Sequence, residues 1–182
     1  MPSLSEQEKK QIRELAQASL RESVCHHRLL HPIPMDGILG QKRGVFVSLH
    51  AKGKLRGCIG LVEPKETLGE GIVQCATSAA REDPRFAPMH ADELEDAEIE
   101  VSVLSPLEPI SAEEVEIGKH GLLIVQGTQR GLLLPQVAVE HGLAREKFLE
   151  ETCRKAGLPR DAWKNRETQI FGFTCEIVGP RN

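Results

Sequence analysis

A chain of 182 residues, 40% hydrophobic and 27% charged, can bury roughly two thirds of its unfolded surface, and its composition excludes wholesale disorder and a continuous coiled coil. A net charge of −4, with no Tyr, one Trp and five Phe, argues against nucleic acid as the main partner, because the chain offers neither a positive field nor a base-stacking platform. The longest apolar runs, Leu122–Val125 and Leu132–Leu134, fall far short of the about 20 residues that cross a bilayer, and Met1–Lys10 holds no secretory core, so no membrane and a cytoplasmic location are expected.

In chain order, Ser5 and Glu8 form a capping box ahead of Ile12, Leu15, Ala16, Leu20 and Val24, which predicts an amphipathic helix. Pro32, Pro34, Gly37 and Gly40 then impose a loop. Val45, Val47 and Leu49 alternate with Phe46, Ser48 and His50, and after Lys52-Gly53 the run Lys54–Val62 completes a predicted hairpin. Thr67 and Glu70 are a second capping box; Leu68, Ile72, Cys75, Ala76 and Ala79 share one face of a helix that ends near Asp83-Pro84. Ala97, Ile99, Val101 and Val103 alternate with polar residues as a half-buried strand. A second hairpin pairs Leu122–Gln126 with Gly131–Leu134. A helix over about Ala144–Ala156 turns Phe148, Leu149, Thr152 and Cys153 inward, with Gly157 as its C′ residue, and one strand, Thr168–Val178, closes the chain. This order predicts an α+β fold, a mainly antiparallel sheet flanked by helices, in a single domain of residues 1–182 with room for a smaller lobe.

The segment Leu55-Arg56-Gly57-Cys58-Ile59-Gly60 stands out, since two glycines weaken a strand unless backbone or ligand approaches closely. A two-residue period puts Arg56 and Cys58 on one face, and a guanidinium beside a thiol favours the thiolate, the form that acts as nucleophile. A buried core cysteine would have the same spacing. Asp83 and Arg85 flank Pro84, where Arg85 can face an anion or the pair can tie the loop together. Glu98 and Glu100 share a strand face, suited to proton transfer or simply to solvation. Lys119 and His120 lie between Gly118 and Gly121, where one can hold an anion and the other titrate near neutrality, and Gln136 follows a strand end where its amide can orient a ligand.

Five cysteines without a C-x-x-C pair argue for reduced thiols. Pro32 disfavours helix at His31, which spoils His27 and His31 as an i, i+4 ligand pair, so neither a metal nor a cofactor is expected. Lys42, Arg43, Lys52, Lys54 and Arg56 make the first hairpin basic; lysines there guard a sheet edge, while Arg56 is the candidate for a ligand.

Leu55-Arg56-Gly57-Cys58-Ile59-Gly60 resembles the signature of the AMMECR-type domain family. The resemblance continues through Ala79–Phe86, Glu100–Leu104, Gly118–Gly121, Leu134–Ala138 and Lys155–Leu158, and so covers nearly the whole chain. It implies an antiparallel α+β fold with a smaller lobe, and a functional surface at the six-residue signature. It also implies a setting: in prokaryotes the family is associated with a Memo-type protein and a radical S-adenosylmethionine enzyme, in the grouping called AmmeMemoRadiSam. Together these readings suggest a cleft bordered by Arg56, Gly57, Cys58, Gly60, Asp83, Arg85, Glu100, Lys119, His120 and Gln136. Cys58, Glu100 and His120 would carry chemistry there on a small anionic ligand or a modified group of a partner. The competing expectation is an interaction module without chemistry.

Overall fold

The computed structural model describes residues 3–63 and 65–180. Chain contacts divide it into two compact units: one runs to Leu104 and takes back the chain from Glu176 onward, and the other is Ser105–Cys175. The fold is α+β, with two four-stranded antiparallel sheets.

The first unit begins with helix α1 (Glu6–His26), started by the Ser5–Glu8 capping box that its sequence predicts. The hairpin β1 (Val45–Ala51) and β2 (Lys54–Leu61) turns at Lys52-Gly53, both at positive φ, 52° and 73°, as a two-residue turn of matching twist requires. Helix α2 (Leu68–Arg81) starts at the Thr67–Glu70 box, and β3 is Ala97–Leu104. With β8 (Cys175–Val178) the strands run in the order β2-β1-β3-β8, so β2 is an edge. Val45, Val47 and Leu49 of β1, with Ile99, Val101 and Val103 of β3, are buried in one core with the apolar faces of α1 and α2. The other sheet face carries Phe46, Ser48, His50, Cys58, Gly60, Glu98, Glu100 and Ser102.

Thr67 is where the box can be tested: its Oγ1 and its backbone N–H both donate to the Glu70 carboxylate at 2.8 Å. Thr67→Ala is expected to cost about 1 kcal/mol. The check is a lower urea midpoint with the slope of unfolding free energy against urea unchanged.

The second unit holds β4 (Glu108–Pro109), β5 (Gly121–Gln126), β6 (Gln129–Leu133) and β7 (Gln169–Phe173), in the order β4-β7-β5-β6, with helices α3 (Pro135–Glu140) and α4 (Arg145–Lys155). Phe148, Leu149 and Cys153 of α4 are fully buried with Leu122 and Ile124 of β5, as the helical spacing predicts, and Gly157 follows the helix at φ 75°.

Three local expectations are corrected. The closing strand is two strands in different sheets, separated at Thr174, whose C=O accepts from Ser105 N–H and whose N–H donates to Ser105 Oγ, each at 2.9 Å. The β5–β6 turn is the two residues Gly127-Thr128 rather than four, so β6 starts at Gln129. Pro135-Gln136 opens a short helix, with proline at N1, where its missing N–H costs nothing.

Candidate functional site

The two-residue alternation of β2 does not reach Arg56. Leu49 of β1 pairs with Gly57 and His50 pairs with Leu55, so the ladder skips Arg56 as a bulge. Its guanidinium goes to Glu93, Nε donating to Oε2 at 2.8 Å and Nη2 to Oε1 at 3.0 Å, with side-chain exposures of 17% and 30%. The Glu93 carboxylate is held below its ordinary range, first by Arg56 and then by the N–H of His90. Arg56 is therefore engaged by a carboxylate.

The guanidinium at Cys58 is that of Arg85. Asp83 Oδ2 accepts from Cys58 N–H at 2.9 Å, while Arg85 Nη2 donates to the Cys58 carbonyl at 3.2 Å. Arg85 also binds Asp83 in a fork, Nε to Oδ1 at 2.9 Å and Nη2 to Oδ2 at 2.7 Å. Both backbone groups of Cys58 point away from β1 toward the open edge, and the Asp83–Arg85 pair satisfies them as a further strand would. Asp83 is only 4% exposed, and Arg85 beside it holds its carboxyl well below the usual range.

The signature glycines have packing reasons. A Cβ on Gly57 would stand 2.1 Å from the carbonyl oxygen of Ala79, so α2 lies directly on this strand. A Cβ on Gly60 would stand 2.2 Å from the ring of Phe46, its cross-strand partner. Close approach is what these glycines permit, and here backbone and ring make it.

Cys58 is half-buried, and its sulfur accepts from Ser48 Oγ at 3.2 Å. Ser48 lies between Cys58 and Glu100 in register, so the three residues form one row across β2, β1 and β3. Glu100 is half-buried and has no ion-pair partner among the described residues. Burial pushes the Cys75 thiol up to about 12, and Cys153 is raised for the same reason. Ser48 carries a contact that sequence reasoning missed; its alternation was legible, but its partner depends on a register that a bulged hairpin does not announce.

Lys119, His120 and Gln136 belong to the second unit. Lys119 Nζ donates to Glu116 Oε1 at 2.7 Å, and His120 Nδ1 accepts from Glu116 N–H at 3.2 Å, making a self-contained turn before β5. Gln136 is half-buried in α3. The basic character of the first hairpin is partly offset within the first unit, Lys52 facing Asp96 at 3.2 Å and Arg56 facing Glu93. No group of three or more His, Cys, Asp and Glu side chains able to hold a metal occurs among the described residues, and no helix there is long and apolar enough to cross a membrane.

Comparison with known proteins gives the same picture of the whole chain. A protein of Methanothermobacter thermautotrophicus is 42% identical over 182 residues, covering 96% of this chain and 95% of the relative. One of Thermococcus kodakarensis is 43% identical over 176 residues, covering 90% and 85%. The crystal structure of an uncharacterised protein of Pyrococcus horikoshii superimposes with a TM-score of 0.84 at 39% identity, over 91% of this chain and 88% of that one. The model of the AMMECR1 family matches residues 13–178, and the chain belongs to that family.

Proposed function

We propose that the chain is a ligand-binding, enzyme-like component whose working surface is the row Cys58–Ser48–Glu100 on the face of the first sheet opposite α1 and α2. The observation that carries this reading is the half-buried Cys58 sulfur accepting the Ser48 hydroxyl on a strand held in place by Asp83 and Arg85. In this role Cys58 is the contact residue or nucleophile, with Ser48 orienting its sulfur through the hydroxyl hydrogen bond and Glu100 exchanging protons from the next strand. Arg85, whose side chain is 55% exposed beside the Cys58 carbonyl, supplies the positive charge that a small anionic ligand or a modified group on a partner would meet. The resemblance supplies the setting, work alongside a Memo-type protein and a radical S-adenosylmethionine enzyme. Lys119, His120 and Gln136 stay candidates of the second unit for the same ligand class.

A specific observation favours a second reading. Gly57 and Gly60 are accounted for by Ala79 and Phe46, and Arg56, Asp83 and Arg85 by internal hydrogen bonds. A signature consumed by folding suits an adaptor that docks partners without chemistry.

Limited alkylation of the native protein with iodoacetamide at neutral pH, read by peptide mass mapping, separates the two. On the enzyme-like reading Cys58 reacts about tenfold faster than the exposed Cys25, and Ser48→Ala slows it. A Cys58 that reacts no faster than Cys25 removes the chemistry and leaves the adaptor, whose partner complex should survive Cys58→Ala.

A further inference from the structure

The second unit carries an open cleft of about 700 Å³, a volume suited to one small molecule. None of the signature residues lines it. Its floor is apolar, formed by Leu133 at the end of β6, Val137 of α3 and Leu143, and its rim is formed by His141, Glu151, Arg154 and Lys155.

The charges of the rim do not cancel. Glu151 is the only carboxylate in it, and that group is already met by Arg154 at 2.7 Å and by Arg160 at 3.4 Å. Lys155 has no ion-pair partner among the described residues. Nor are these cations needed to finish α4: its last carbonyls accept from Ala156, Gly157 and Leu158 N–H, between 2.9 and 3.1 Å. A surplus of positive charge thus stands over an apolar floor, which is the complement of a molecule with a greasy body and one negative end.

We infer that this cleft binds a small amphipathic acid, its apolar body laid on Leu133, Val137 and Leu143 and its carboxylate directed at Lys155 and Arg154. Apolar contact supplies most of the affinity, and the cations select the acid over the corresponding alcohol. Cys58 is not among the residues that line this cleft, so Cys58→Ala is expected to leave octanoate binding unchanged.

The test is an NMR titration of the full-length, nitrogen-15-labelled protein with three probes: sodium octanoate, 1-octanol and sodium acetate. Octanoate is expected to give saturable shifts confined to the cleft, with acetate failing for lack of a body and octanol binding about fivefold more weakly. Lys155 is exposed and has no ion-pair partner among the described residues, so Lys155→Glu should fold normally and weaken octanoate about fivefold while leaving octanol unchanged. Octanol binding as well as octanoate, an unchanged affinity in Lys155→Glu, or no saturable shift at millimolar octanoate would each overturn the inference.

Discussion

Asp83→Ala is expected to lower the unfolding free energy of the first unit by about 3 kcal/mol, because it removes a buried carboxylate and orphans its partners at once. The carboxylate accepts from Cys58 N–H, from Arg85 N–H and from the Arg85 guanidinium, and it is 4% exposed. Asp83→Asn retains the shape and one acceptor oxygen, so its loss should be smaller. The sign of the pH dependence follows from the lowered pKa. The folded chain holds the ionised form more firmly than the unfolded chain does, so the stabilisation is complete above the unfolded carboxylate value of about 3.9 and fades as pH falls from there toward the folded value. Urea unfolding at neutral pH and again near pH 3 should therefore show the gap between wild type and Asp83→Asn narrowing in acid. A variant within about 0.5 kcal/mol of wild type at neutral pH would mean that the edge of β2 needs no such clamp.

Gly57→Ala should be at least as damaging, with an expected loss of about 3 kcal/mol or failure to accumulate as folded protein. The added methyl meets the Ala79 carbonyl oxygen at 2.1 Å and its carbon at 3.0 Å, both backbone atoms of a helix whose inner face is fully packed. Neither the strand nor α2 can give way without opening the core. Gly60→Ala is the control, because its added methyl meets the ring of Phe46, a half-buried side chain, rather than helix backbone. A loss of about 1 kcal/mol is expected there. The pair of midpoints from thermal or urea unfolding decides between packing and ligand approach as the reason for these glycines. Two equally mild losses, with a partner or ligand interaction abolished in both, would favour ligand approach.

The signature therefore has two kinds of residue. Gly57, Gly60 and Arg56, with Asp83 and Arg85 from the loop after α2, bind the edge strand to its helix and its neighbours. Cys58 alone in the segment offers a reactive atom on the sheet face, where Ser48 and Glu100 flank it in register. This division explains how one six-residue segment can serve both folding and a thiol-bearing site: Arg56, Asp83 and Arg85 act through its edge, Gly57 through its helix-facing side, and on the face that Gly60 shares with Phe46 the sulfur is the reactive atom.

What the amino-acid order determined by itself was local. Capping boxes at Ser5 and Thr67, the inward face of α4 and the Lys52-Gly53 turn all involve groups within a few residues of one another, and each formed as its pattern predicts. Tertiary structure decided which guanidinium stands at Cys58. Arg56 reaches Glu93 across 37 positions, and Cys58 reaches Asp83 across 25, and neither separation leaves a periodic trace. The bulge at Arg56 and the break at Thr174 are likewise settled by which strands pair. A short-range pattern records the preferences of one segment, whereas register and edge contacts arise only when segments meet and the lowest free energy belongs to the assembled whole.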